Sequence, residues 1–127
     1  MSPQKKAIEL ILDHIENKLG YRLETTGLPG GGGISAEAQA AKDNGATLDK
    51  QRQDRTLPLL ILSKNKIQGV AMEQLFNIGN LISKATELPQ DDSVQLLSAS
   101  VSTDAAPVGK VGDFWIYSMI VDVRIAF

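Results

Sequence analysis

The chain has 127 residues, 43% of them hydrophobic, and a formal net charge of −2 at pH 7, which suits one globular domain with a hydrophobic core. It has no cysteine, so disulfides, zinc–thiolate sites and thiol catalysis are excluded. A slightly acidic chain has no general attraction to nucleic acid or anionic lipid. No apolar run approaches the roughly 18 residues of a membrane-spanning helix. The charged, amphipathic N-terminal segment does not resemble a secretory signal, so the sequence predicts a soluble protein made inside the cell.

The first element is an amphipathic helix over Pro3–Leu19. Ser2 and Pro3 are typical of the N-cap and first helical positions, and Gly20 is a typical C-terminal stop. The apolar residues recur at spacings of three and four, which predicts one buried helical face. They are Ile8, Ile11, Leu12, Ile15 and Leu19.

A short strand, Tyr21–Thr26, is predicted next because its residues alternate and favour β-structure. Gly27–Gly33 contains four consecutive glycines and a proline, which favour irregular structure. The following residues are mostly alanine, glycine and polar groups with balanced charges, and they bury too little surface to offset ordering entropy. We therefore expect Gly30–Asp54 to be mobile in the free subunit, within a long inserted loop spanning residues 27–55.

The apolar run Thr56–Ser63 predicts a second strand, with Pro58 near its start. A second amphipathic helix is predicted over Ile67–Leu88, because its apolar residues follow the helical period. Met72 and Phe76 widen its apolar stripe. We therefore expect this helix to contact more than the sheet beneath it.

Two further strands complete the chain. Val94–Thr103 is followed by a predicted loop, Asp104–Asp113, and a final strand, Phe114–Phe127, whose odd positions are all apolar or aromatic. The predicted order is α-β-β-α-β-β. It indicates an α+β fold in which two amphipathic helices cover one face of a mostly antiparallel four-stranded sheet, all within a single domain of residues 1–127.

The final strand is long for a domain of this size. Fourteen residues at about 3.3 Å each span some 46 Å, against a domain diameter of about 36 Å. The strand must therefore bend, twist strongly or project. Its first half, Phe114–Ile120, is apolar on both faces apart from Ser118, which indicates a second packing surface. Either a loop or helix end of the same chain, or another subunit, covers it.

No residue pattern predicts catalysis. The glycines near Pro29 lack the lysine of a phosphate-binding P-loop, and His14, the only histidine, has no partner pattern for a general base. Trp115 and Tyr117 stand on the apolar face without a basic groove, so we interpret them as core residues rather than a stacking platform for nucleic acid. The sequence therefore predicts no enzyme, no cofactor and no metal site.

The chain as a whole resembles the tail terminator, or tail-completion (minor capsid), proteins of long-tailed bacteriophages. The resemblance is carried by the helix Pro3–Leu19 leading into Tyr21-Arg-Leu-Glu, and by the Gly-rich insertion before Leu57-Pro-Leu-Leu-Ile-Leu. Two further segments carry it, Ile78-Gly-Asn-Leu-Ile in the second helix and Trp115-Ile-Tyr-Ser-Met-Ile-Val-Asp-Val-Arg-Ile at the end. It is a likeness of pattern across nearly all of the chain, without an invariant motif.

This resemblance implies a non-enzymatic structural protein in the virion, at the head–tail junction, made in the bacterial host cytoplasm. Such a protein forms a homo-oligomeric ring, a hexamer in this family, that caps the tail tube and stops its polymerisation. Its implied partners are the tail tube protein and the head–tail connector protein, with no membrane and no recognition of nucleic-acid sequence. The alternative is a non-enzymatic α+β binding module that recognises a peptide or ligand through the 27–55 loop.

The predicted oligomer interface combines the second face of the last strand with the widened stripe of the second helix. A charge placed at either isoleucine of this set is expected to weaken oligomerisation more than folding. The predicted interface residues are Ile116, Ile120, Asp122, Arg124 and Phe76.

Overall fold

The computed structural model describes residues 2–40, 42–46, 53–84, 88–91 and 93–127. Within these ranges the chain forms two helices and one mixed sheet of six strands. In chain order the elements are α1 (Pro3–Leu19), β1 (Leu23–Glu24), β2 (Gly33–Ala38), β3 (Lys42–Ala46), β4 (Gln53–Asn65), α2 (Gln68–Lys84), β5 (Gln95–Val111) and β6 (Phe114–Ala126).

The first helix has the predicted bounds and the predicted caps. The Ser2 hydroxyl accepts a hydrogen bond from the backbone N–H of Lys5 at 3.2 Å, and this satisfies one of the free donors of the first turn. At the other end Gly20 takes a left-handed conformation with φ 74° and donates to the Glu16 carbonyl at 2.8 Å. This conformation suits glycine, which has no Cβ to clash.

Both helices contribute to one hydrophobic core on one side of the sheet. Ile11 and Ile15 of α1 and Leu75 and Ile78 of α2 are almost fully buried. The strands supply the odd-numbered residues of β4 and β6 to the same core. These are Leu57, Leu59, Ile61, Tyr117, Met119, Val121, Val123 and Ile125.

The sheet has the strand order β1-β2-β4-β6-β5, and β3 pairs with β4 beside β2. Only the β1–β2 pair is parallel; every other pair is antiparallel. The centre is the β4–β6 ladder, whose pairing runs without a register shift from Asp54 opposite Ala126 to Asn65 opposite Trp115. The α+β class and the two helices are confirmed, but the sheet has two more strands than the predicted four.

The two additional strands lie inside the segment predicted to be a long mobile loop. β2 pairs with β4 from Gly33 to Ala38, and β3 pairs with β4 from Lys42 to Ala46. The prediction of irregular structure through residues 27–55 was therefore wrong for these parts. Small side chains bury little surface by themselves, but their backbone groups complete a ladder along a strand that is already held on its other side by β6. Residues 41 and 47–52 of the predicted loop lie outside the described residues.

The prediction of a loop over Asp104–Asp113 was also wrong, because β5 continues to Val111. Gly112, with φ 59°, and Asp113 make the turn into β6. Pairing along β5 is irregular, with four register shifts against β6. β6 itself stays paired with β4 as far as Trp115, one residue from its start. Its length is therefore accommodated inside the sheet, while the irregularity falls in bulges of its other partner, β5.

The second helix does not reach either of its predicted bounds, Ile67 and Leu88. α2 begins at Gln68, one residue after the predicted start. It is described as far as Lys84, and the predicted end at Leu88 falls in a non-helical segment beyond residues 85–87, which lie outside the described residues. No helix in the described part of the chain is long and apolar enough to cross a membrane.

Candidate interaction surface

The face of the sheet that points away from both helices is the main candidate surface, and we call it the helix-free face. Successive strand residues point to opposite faces. Because Leu59, Ile61 and Val121 are buried against the helices, their neighbours in sequence point the other way. The larger aliphatic side chains of β4 and β6 on the helix-free face are Leu60, Leu62, Ile116 and Ile120.

These apolar side chains lie on the two central strands. Leu60 is directly opposite Ile120 in the ladder, and Leu62 is opposite Ser118. All four apolar residues are partly exposed, so they form an apolar patch across the middle of the sheet that is incompletely covered in a single subunit. An incompletely covered apolar patch on a sheet is typical of a protein–protein contact.

A loop of the same chain covers one margin of this face. Thr25–Leu28 line an open pocket of about 330 Å³ together with Ser35, Glu37 and Leu62. The expected alternatives for covering the second face were a loop of the same chain or another subunit. The loop reaches Leu62, whereas Ile116, Ile120 and Leu60 are not among the residues that line this pocket.

A charged pair lies at one end of the helix-free face. Arg124 on β6 donates from Nε and Nη2 to the carboxylate of Asp54 on β4, at distances of 2.5–3.1 Å. Asp54 is buried, with 8% of its side chain exposed, whereas Arg124 is 52% exposed. The hydrogen bond to this carboxylate, followed by its charge, raises the pKa of Arg124 above its ordinary value. Arg124 therefore binds within its own chain while about half of its side chain stays exposed.

The structure brings four of the five predicted interface residues onto the helix-free face. Ile116, Ile120, Asp122 and Arg124 follow one another at alternate positions of β6, and Asp122 is partly exposed opposite Pro58. Phe76 lies elsewhere, on the side of α2 that points away from the sheet.

The outer side of α2 is a second, smaller apolar surface. Phe76 is 44% exposed and Met72, one helical turn before it, is 37% exposed. Residues four apart lie on the same side of a helix, so the two form one patch. The body of α2, the hydrophobic core and the sheet lie between this patch and the helix-free face.

Tyr117 and Trp115, which were considered as a stacking platform, contact other parts of the chain. The Tyr117 hydroxyl is a hydrogen-bond acceptor for Gln68 Nε2 at 2.8 Å, and Trp115 packs against the core. His14 is partly buried, and its Nε2 has no hydrogen-bond partner among the described residues. Within those same residues no group of His, Asp and Glu is arranged to hold a metal ion.

Sequence reasoning missed Leu60, Leu62 and Asp54. The run Leu57-Pro-Leu-Leu-Ile-Leu is apolar at both odd and even positions, which is the same signal that singled out Phe114–Ile120. Asp54 was assigned to the mobile segment because β4 was expected to begin at Thr56, whereas it begins at Gln53.

No model of a known protein family matches this chain, and no curated protein matches it.

Proposed function

We propose that this protein is a structural subunit that assembles into a ring and acts as a tail terminator of a long-tailed bacteriophage. In this role the ring, a hexamer, caps the tail tube, stops its polymerisation and joins it to the head connector in the virion. The observation that carries the proposal is the partly exposed apolar patch of Leu60, Leu62, Ile116 and Ile120 on the helix-free face. The function requires no catalysis, cofactor or membrane.

Two separate apolar surfaces support a ring over a two-fold dimer. A ring is held by head-to-tail contacts, so each subunit needs two different complementary surfaces. The helix-free face supplies one, and the patch of Met72 and Phe76 on α2 supplies the other, on the opposite side of the domain. All five predicted interface residues then belong to one of two contacts.

The long edge strand β5 is less suited to pairing with a neighbour. Its four register shifts and Pro107 interrupt the regular row of backbone donors and acceptors. Bulges and prolines are the devices by which edge strands avoid pairing with other chains. We therefore infer that subunits contact each other through side chains of the two apolar surfaces and not through backbone pairing at the edge of the sheet.

The test is the mass of the protein in solution at high concentration, measured by light scattering, with ring images from electron microscopy. Three variants that each add one positive charge are compared with the wild type, namely Ile120→Lys, Phe76→Lys and Asn17→Lys. Asn17 is exposed on α1, a helix that contributes no residue to either surface, and serves as the control.

A head-to-tail ring predicts that Ile120→Lys and Phe76→Lys each abolish assembly, while Asn17→Lys does not. A mixture of the two defective variants then forms a dimer through the one contact in which both surfaces are intact. A two-fold dimer through the helix-free face would instead lose assembly only with Ile120→Lys, and would contradict the ring. A wild-type protein that stays monomeric, with no rings alone or on tail tubes, would contradict the proposed function.

A further inference from the structure

A basic pocket lies at the end of the sheet where β6 begins. Its lining includes the glycines Gly31–Gly33, the turn residues Asn65–Ile67 and the ring of Phe114, and its volume is about 380 Å³. This volume is at the low end of the range for ligand pockets, about 300–1,000 Å³. It is of a size to take a side chain of a partner molecule.

Lys66 lines this pocket and Lys64 lies over the same Phe114 ring, so two lysines place positive charge near it. The ammonium of Lys64 lies 4.8 Å from the centre of the Phe114 ring, and that of Lys66 lies 5.6 Å from it. The ring attracts both cations. Neither ammonium forms an ion pair within the described residues, although Asp113 stands next to Phe114 in the chain. Their charge is therefore available to an anion.

The backbone of the pocket is fixed in this shape. The Ile67 N–H donates to Asn65 Oδ1 at 2.9 Å, which holds the turn that carries Lys66. Gly32 has φ 96°, and a Cβ there would lie 3.1 Å from the Lys64 carbonyl oxygen and 3.3 Å from the Phe114 ring. Only glycine allows the loop to approach the ring so closely.

We propose that this pocket binds an acidic segment of a partner protein, whose carboxylates pair with Lys64 and Lys66. Single-stranded nucleic acid fits less well, because bases need open aromatic faces and two lysines already lie over Phe114. A phosphate chain also needs an extended basic track, whereas the whole chain carries more acidic than basic residues. The proposal does not depend on ring assembly, since one subunit contains the complete pocket.

The test is binding of a fluorescent Glu-Ser repeat peptide, measured by anisotropy at about 50 mM and about 500 mM salt. A Gln-Ser repeat peptide and an oligothymidylate are the comparison probes. The double variant Lys64→Gln/Lys66→Gln is compared with Lys5→Gln/Lys18→Gln, which removes the same charge from exposed positions of α1. A second variant, Gly31→Glu, keeps both lysines but supplies a competing carboxylate. Gly31 has open space and no positive φ, so it tolerates a side chain.

We expect the wild type to bind the Glu-Ser peptide at low salt and to lose it at high salt. Removing Lys64 and Lys66 should weaken binding about fivefold, Gly31→Glu should also weaken it, and the α1 double variant should retain it. Circular dichroism verifies that each variant is folded.

Three results would overturn the proposal: no binding of the Glu-Ser peptide by the folded wild type, equal losses in both double variants, or tighter binding of oligothymidylate that depends on Lys64 and Lys66. The last would assign the pocket to nucleic acid. Light scattering of the same samples reports ring assembly separately, so failure of the pocket and failure of the ring are distinguishable.

Discussion

Arg124 and Asp54 are joined across the two central strands, with Nε and Nη2 of the guanidinium both donating to one buried carboxylate. The two residues are unequal, because the acid is buried and the base is about half exposed. Replacing Arg124 and replacing Asp54 should therefore lower the stability of the fold by different amounts.

We predict that Arg124→Ala lowers the melting temperature more than Asp54→Asn does. Removing the arginine takes away a cation that hydrogen-bonds this buried carboxylate, which is costly. The asparagine has nearly the same shape and leaves Arg124 charged but able to reach water. Thermal unfolding at pH 7, followed by circular dichroism, measures both. An equal or larger fall for Asp54→Asn would show that the acid is stabilised mainly by other contacts.

Two glycines of α2 should respond in opposite directions to the same change to leucine. A Cβ at Gly79 would lie 3.3 Å from Met119 Sδ and 3.4 Å from a methyl group of Val101, whereas Gly69 has open space around it. Overpacking should cost Gly79→Leu about 1–3 kcal/mol. Gly69→Leu lies in the first turn of α2 and should gain less than about 1 kcal/mol from helix propensity. Urea unfolding gives both values, and a stabilising Gly79→Leu would mean that Met119 moves aside without cost.

The pKa of Asp91 should depend on Ser93. The Ser93 hydroxyl and backbone N–H donate to Asp91 Oδ1 at 2.7 and 2.9 Å. These two bonds, in that order, lower the pKa of the carboxyl below its ordinary 3.8, and Lys6 lowers it further. A carboxyl whose pKa is lowered on folding stabilises the fold above its unfolded pKa and loses that contribution as the pH falls through its folded pKa.

Ser93→Ala should therefore raise the pKa of Asp91 toward 3.8, as followed by NMR titration of the carboxyl. The variant should be less stable than the wild type at pH 7, and this difference should shrink as the pH falls below about 4. A stability difference that stays constant down to acidic pH would assign the effect of Ser93 to something other than this carboxylate.

The rate of trypsin cleavage after Arg55 distinguishes a paired strand from a mobile loop at this position. This residue pairs with Ile125 on one side and Asp43 on the other, so cleavage requires β4 to leave both neighbours. We predict that Arg22, which is 80% exposed just before β1, is cut before Arg55. Mass spectrometry of early fragments provides the order. Early cleavage at Arg55 would support the mobile segment expected from the sequence.

The sequence was sufficient for the elements that carry their own periodicity. The stripe of α1, its caps at Ser2 and Gly20, and the alternation of β6 are local properties, and each is present as predicted. β2 and β3 could not be predicted in this way, because residues such as Ala36 and Ala38 become strand only through pairing with β4. Their β-structure depends on a partner distant in the chain.

The same reasoning explains what was found and missed at the candidate surface. Ile116 and Ile120 were identified because the alternation along the whole of β6 assigns its odd positions to the core, so that apolar even positions indicate a second face. The run that contains Leu60 is apolar throughout, and the same inference was not drawn there. The pocket at Lys64, Lys66 and Phe114 has no signal in the sequence. It arises where three separate segments meet at one end of the sheet.

The central β4–β6 ladder also determines how this domain can fold. It joins strands that are separated in the chain by all of α2 and β5, so its closure brings together residues with a large sequence separation. Such contacts carry a high entropic cost before they are stabilised, which slows folding. Until β6 pairs with both, the edges of β4 and β5 that face it have unpaired backbone groups, and their apolar side chains are exposed. Production of this protein should therefore be limited by aggregation of unpaired strands more than by the stability of the finished fold.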